Sequence, residues 1–206
     1  MVGKKLLLVA TMVLALPIAA LADSDTIFTN NGGTLTGTSA GLSLAGSTLV
    51  GYSSPAGSFS GNLGGVTFST GALTSGSMQS GGTFGMGGSF TIIGNGSNGL
   101  PNGSLFSGAF SQAPVWTMST VFNGTHQYTL TGVLAGNLSG GVAANGVNVV
   151  LTINTGKGFF NSSAPFYGGT TVTTVPEPDS WALLATALLG MASVFPRKWK
   201  PLKAPG

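Results

Sequence analysis

The chain has 206 residues and a formal net charge of +3, yet only 5% of its residues are charged. Between residues 26 and 175 the one charged side chain is Lys157 and the one histidine is His126. A surface that binds nucleic-acid phosphates needs several cations, so this composition excludes nucleic acid as a partner. The chain has no cysteine, which excludes disulfides, thiolate nucleophiles and zinc–thiolate sites.

The N terminus has the three parts of a secretory signal. They are the lysines Lys4 and Lys5, the apolar run over residues 6–16, and the small residues Ala20 and Ala22. This order predicts a signal peptide over residues 1–22, cleaved after Ala22. A transmembrane helix is the alternative, and the short apolar run disfavours it. We therefore expect the protein to be exported.

The C terminus has a second composite signal over residues 175–206. Its parts, in order, are the segment Val175-Pro176-Glu177-Pro178, an apolar run over residues 180–195, and the basic residues Arg197, Lys198 and Lys200. As a helix the apolar run is roughly 24 Å long, so it spans a hydrocarbon core of about 30 Å only if the flanking cations snorkel. We predict a single transmembrane helix whose basic end stays cytoplasmic. A helix of the soluble core is disfavoured because the run has no polar face.

This order of motif, helix and basic end resembles the PEP-CTERM sorting signal of Gram-negative bacteria that make exopolysaccharide. The resemblance covers residues 175–203 and does not extend to the rest of the chain. It implies that a membrane-embedded exosortase recognises and cuts the tail. The precursor would then be anchored in the inner membrane, and the product would pass to the cell envelope or the extracellular matrix. The basic end departs from the usual run of arginines at Trp199 and Pro201.

The body, residues 23–174, combines glycine-rich connections with alternating apolar residues, and all but three of the 35 glycines lie between residues 26 and 175. The alternating sets are Phe84, Met86, Phe90 and Ile92; Trp116, Met118 and Phe122; Tyr128, Leu130 and Leu134; and Val147, Val149, Leu151 and Ile153. A period of two predicts half-buried strands, and Asn-Gly pairs such as Asn123-Gly124 and Asn145-Gly146 predict hairpin turns. We therefore predict an all-β body, either an antiparallel β-sandwich of jelly-roll type or a small barrel, with the sandwich preferred. Loose internal repeats leave a β-solenoid as the alternative.

Two motifs suggest catalysis but lack their partners. Residues 37–41 match the Gly-x-Ser-x-Gly nucleophile motif, which needs a histidine and an acid. Residues 94–99 match Gly-x-Gly-x-x-Gly, which needs an acid about twenty residues further on. Neither acid exists, and His126 has no second metal ligand in reach, so it is expected to bond to backbone or water. We predict no catalytic residues, no metal site and no cofactor.

The sequence therefore favours a non-catalytic exported surface or matrix protein, processed at Val175–Pro178. A first alternative is binding of exopolysaccharide, with Trp116, Tyr128 or Tyr167 stacking on sugar rings, although the alternation around Trp116 equally indicates core packing. A second alternative is self-association, because strand edges without charges pair readily.

Overall fold

The structure is a computed structural model that describes residues 24–175. The predicted signal peptide with Ala20 and Ala22 lies outside the described residues. So do Pro176, Glu177 and Pro178, the apolar run 180–195 and the basic end. Val175, the first residue of the predicted sorting motif, is the last residue described.

The described residues fold into thirteen strands. They are β1 (Ser24–Asn31), β2 (Thr34–Thr38), β3 (Gly41–Ser54), β4 (Gly57–Ser69), β5 (Leu73–Ser77), β6 (Gly81–Phe84), β7 (Gly87–Asn95), β8 (Asn102–Phe110), β9 (Val115–Thr120), β10 (His126–Leu138), β11 (Ala143–Asn154), β12 (Ser163–Pro165) and β13 (Gly168–Val175). Two three-residue 3-10 turns, Ser97–Gly99 and Ser139–Gly141, are the helical elements of this part of the chain. Within residues 24–175, no helix is of a length and apolarity to cross a membrane.

Eight of the strands close into an antiparallel barrel. Their order is β11-β13-β1-β3-β4-β7-β8-β10, and β10 pairs with β11 to complete the circle. The first and last strands are neighbours, with Ser24 opposite Val175. The chain therefore enters and leaves the barrel at the same end, which we call the terminal end. The opposite end is called the distal end.

The long strands β3 and β10 each change partner along their length. In β10, residues 126–131 pair with β9 and residues 134–138 pair with β8. In β3, residues 41–45 pair with β2, whereas the later residues pair with β1. Two small sheets therefore extend the distal end: β9 continues to β6 and β5, and β2 continues to β12.

The core is rich in aromatic side chains and has two centres. In the barrel, the ring of Phe90 has its centroid 5.8 Å from that of Phe68, 6.2 Å from Phe106 and 6.4 Å from Phe110. Nearer the distal end, a second cluster is formed by Trp116, Tyr128 and Phe160. Each aromatic pair is worth about 0.5–1.5 kcal/mol beyond the apolar area it buries, so the second cluster holds β9 and the loop of Phe160 against the barrel strand β10.

The predicted all-β, antiparallel body is confirmed, and the sandwich is not. A sandwich keeps two separate sheets, whereas β10 and β11 join the two halves edge to edge into a closed barrel. The solenoid alternative does not describe this fold either, because the pairings of the described strands are antiparallel.

Most of the alternating residues are buried, including Val147, Val149, Leu151 and Ile153. Met118 is partly buried, and two residues are exposed. Met86 lies between β6 and β7 and is exposed, and Phe122 is fully exposed in the β9–β10 turn. The alternation that places side chains on one face stops where the strand stops.

Candidate functional site

The residues predicted to stack on a ligand do not lie together. Trp116 is 1% exposed and Tyr128 is 0% exposed. Their rings stack on one another with centroids 5.2 Å apart. Trp116 Nε1 donates a hydrogen bond to the Met78 carbonyl at 3.0 Å, and Tyr128 Oη donates to the Gln79 carbonyl at 2.7 Å. These two side chains belong to the core and leave no ring face for a ligand.

Tyr167, the third predicted stacking residue, is 64% exposed and lines an open cleft of about 810 Å³. We call this cleft the distal groove. Its lining includes the side chains of Gln127, Asn154, Phe159, Asn161 and Tyr167, together with the buried Ile153 and Ala164. The groove lies at the distal end, where β10 begins, β11 ends and the chain crosses through β12 to β13.

The chain that forms one side of the groove, residues 155–162, is fastened to strand β10. His126 N donates a hydrogen bond to the Gly156 carbonyl at 2.7 Å, and Thr155 N donates to the His126 carbonyl at 3.0 Å. Thr155 Oγ1 donates to the Gly158 carbonyl at 2.6 Å. This loop therefore holds a defined shape even though most of its residues are exposed.

Two adjacent phenylalanines in this loop have opposite environments. Phe160 is buried in the aromatic cluster, and its N–H donates to Tyr128 Oη at 3.1 Å. Phe159 is 55% exposed and lines the groove. Because Phe160 fixes the backbone, Phe159 has a defined position on the surface.

The imidazole of His126 supports the Phe159 ring. The two rings stack with centroids 4.5 Å apart and planes 15° apart. His126 Nδ1 is 3.1 Å from Thr120 Oγ1, so the polar partner at this ring nitrogen is a side-chain hydroxyl, whereas the sequence predicted backbone or water. Among residues 24–175, no group of three His, Cys, Asp or Glu side chains is placed to hold a metal ion.

Ser162, at the edge of the groove, has a strained backbone. Its φ is +63°, a left-handed value that a residue with a side chain seldom adopts. The turn around it is closed by Ser163 N, which donates to the Asn161 carbonyl at 2.8 Å. The Ser162 carbonyl accepts a hydrogen bond from Gly37 N at 2.8 Å. Such strain costs of order 1–3 kcal/mol and is concentrated at ligand sites.

Amide groups of the groove have hydrogen-bonding atoms without a partner among residues 24–175. The side chains of Gln127 and Asn161 make no hydrogen bond to any other residue of the segment 24–175. Asn154 Oδ1 accepts from Gly156 N at 2.8 Å, which leaves the Nδ2 donor of Asn154 unused within this segment. Donors and acceptors therefore lie beside the two exposed rings.

A second cavity, of about 430 Å³, lies at the mouth of the barrel's terminal end. Its lining is mainly apolar, with Phe28, Tyr52, Phe59, Leu100 and Leu138. It contains no asparagine or glutamine side chain. Ring and amide groups thus occur together in the distal groove and not in this mouth.

Sequence reasoning found Tyr167 but missed Phe159, Gln127 and Asn161. A usable signal was the dipeptide Phe159-Phe160, which follows the glycines Gly156 and Gly158. Two adjacent side chains in an extended chain lie on opposite faces, so the sequence predicts that one of the two rings is more exposed than the other. The amides carry no local signal, because asparagine is common throughout the turns of this chain.

The chain was compared with models of protein families, with curated proteins and with solved structures, and no match was found.

Proposed function

We propose that this chain is a non-catalytic exported protein of the cell envelope or extracellular matrix, sorted and cut at Val175–Pro178 by an exosortase-like membrane enzyme. The observation that carries the proposal is the pairing of Ser24 with Val175 at the terminal end of the barrel. The two predicted signals are therefore attached to adjacent strand ends. Their removal would take away no strand of the barrel.

The sequence of the motif suits a processing enzyme. Proline has no backbone N–H and fixes φ near −65°, so Pro176 and Pro178 disfavour continued strand pairing beyond β13. A residue before proline is driven to extended conformations, which applies to Val175 and Glu177. An extended segment next to a folded barrel is the form in which a protease-like enzyme binds its substrate.

The absence of catalysis is supported by where the ionisable groups lie. Asp25 is in β1 at the terminal end, opposite Thr174, whereas His126 and the exposed Lys157 are at the distal end. Acid–base and nucleophilic catalysis need such groups within hydrogen-bond reach of one another. Within residues 24–175 the carboxylate and the imidazole are separated by the length of the barrel.

The test is replacement of Pro176, Glu177 and Pro178 by alanine in a Gram-negative host that expresses an exosortase. We expect the full-length precursor to accumulate in the membrane fraction, whereas the unaltered chain is shortened. The matched control is Pro101→Ala, which removes a proline from a loop at the same end of the barrel and should leave maturation unchanged. Normal shortening of the triple variant would contradict the role of the motif.

A further inference from the structure

We infer that the distal groove binds a polysaccharide, with Phe159 and Tyr167 stacking on pyranose rings and Gln127, Asn154 and Asn161 bonding to the sugar hydroxyls. The inference goes beyond the sorting proposal and does not depend on it, because the groove lies at the opposite end of the barrel from Ser24 and Val175.

The first argument is the exposure of two aromatic rings that flank one cleft. A large apolar side chain left in water forgoes the favourable free energy of burial. Phe159 is nevertheless fixed in place by the His126 ring on one side and by the buried Phe160 next to it. The C–H faces of a pyranose ring are apolar and flat, and they match an aromatic ring held in this way.

The second argument is the unused amide groups. A side-chain amide offers two donors and one acceptor, which suits the alternating donor and acceptor character of neighbouring sugar hydroxyls. Gln127 and Asn161 have both functions available within residues 24–175, and Asn154 has its donor available. An acyl chain in the same groove would cover these amides without bonding to them, which is unfavourable.

The third argument is the strain at Ser162, which lies between the groove residues Asn161 and Ser163. The hydrogen bond from Gly37 N to the Ser162 carbonyl holds this turn against the small sheet of β2. A backbone that is strained where an unpartnered amide enters a cleft indicates that the amide is positioned in advance for a ligand.

Size and charge restrict the ligand further. A groove of about 810 Å³ that is open along one side accommodates several sugar units of a chain. The groove lining carries no formal charge, and the exposed Lys157 in the adjoining loop is the one cation of residues 24–175. Neutral and uronic-acid polysaccharides both offer flat ring faces and hydroxyl groups. Only a uronic-acid polysaccharide also carries carboxylates, which the ammonium group of Lys157 would attract.

The experiment is calorimetric titration of the full chain, in a sugar-free zwitterionic detergent, with two probes: cellohexaose as a neutral oligosaccharide and hexagalacturonate as an acidic one. We expect at least one probe to bind. Tyr167→Ala and Phe159→Ala should each weaken binding about tenfold, the size expected for loss of one stacking contact. Asn161→Ala should also weaken it.

The matched control is Phe122→Ala, which removes a fully exposed phenylalanine outside the groove and should change the affinity by less than about twofold. Preferential binding of hexagalacturonate that is lost in Lys157→Gln would identify an acidic ligand, and equal binding of both probes would identify recognition by rings and amides alone. Failure of both probes to bind overturns the inference. The inference is also overturned if Tyr167→Ala and Phe159→Ala both bind the probes with unchanged affinity. Tail processing is measured separately, so either proposal can fail without the other.

Discussion

Tyr128 Oη accepts a hydrogen bond from the N–H of Phe160 at 3.1 Å and donates one to the Gln79 carbonyl at 2.7 Å. One buried hydroxyl thus joins strand β10 to the β5–β6 turn and to the loop that forms the distal groove. The ring of Tyr128 also packs on Trp116 and Phe160. The shape of the groove therefore depends on a core residue that does not line it.

Tyr128→Phe tests this dependence. The ring is kept, but the Phe160 N–H and the Gln79 carbonyl lose their partner, and an unsatisfied buried polar group costs about 1–3 kcal/mol. We expect the free energy of unfolding, measured by urea titration, to fall by that amount. Tyr167→Phe is the matched control and should change it by less than about 0.5 kcal/mol, because Tyr167 is exposed. Equal effects of the two substitutions would contradict the assignment.

The neighbouring phenylalanines give a second prediction. Phe160→Ala leaves a cavity against Trp116 and Tyr128, so we expect a loss of about 3–5 kcal/mol in the free energy of unfolding. Phe159→Ala removes a ring that is mostly exposed and should cost less than about 1 kcal/mol. Thermal unfolding followed by near-ultraviolet circular dichroism checks both. A similar loss in the two variants would show that Phe159 is also a core residue.

The strands could be predicted from the sequence because burial in this chain follows local alternation. The set from Val147 to Ile153 is buried as the period of two requires. The closure of the barrel could not be predicted in the same way. It depends on the pairing of Ser24 with Val175, which brings together opposite ends of the body, and no local pattern encodes such a contact.

Asn145-Gly146 shows a second limit of local reasoning. The pair predicts a hairpin turn, but it lies inside β11, and the β10–β11 connection is made by Ser139–Gly141. Asn145 pairs with Ala135 and Val147 with Leu134, so Gly146 is the extra residue of a β-bulge with φ of +73°. A left-handed glycine suits a turn and a bulge equally, and the partner strand decides between them.

The groove was only partly predictable for a related reason. On the carbohydrate-binding alternative, the sequence predicts that Trp116, Tyr128 or Tyr167 is an exposed aromatic residue that stacks on a ligand. In the structure Tyr167 is exposed, whereas Trp116 and Tyr128 are buried. An aromatic residue in a strand carries no information about which face it occupies until the register of the neighbouring strands is known.

The closed barrel predicts how the strands differ in hydrogen exchange. Within residues 24–175, β5 and β12 each pair with one neighbour only, whereas β4 and β7 are paired on both sides. Exchange from an unpaired edge needs only local opening. We expect the amides of Leu73–Ser77 and those of Ser163 and Ala164 to exchange first in a mass-spectrometric time course. Residues 148–152 of β11 pair with β13 on one side and, only because the barrel is closed, with β10 on the other, so their exchange at the same rate as β5 would contradict a closed barrel. The edge strands β5 and β12 have five and three residues, and self-association through such edges stays a prediction.

Gly136 gives the last prediction, because here two strands approach too closely for a side chain. It lies opposite Gly108 in the β10–β8 pair, and a Cβ on Gly136 would overlap the backbone of Ser107 and Gly108. Gly136→Ala must therefore push β8 away from β10 at the barrel wall, at a cost of about 1–3 kcal/mol or more. The melting temperature should fall by several degrees, since about 1 kcal/mol corresponds to roughly 2–4 °C for a domain of this size. Gly85→Ala is the control, because its Cβ would meet Ala72 no closer than 3.6 Å. We expect that variant to be as stable as the unaltered chain, and an unchanged melting temperature for Gly136→Ala would contradict the β8–β10 register.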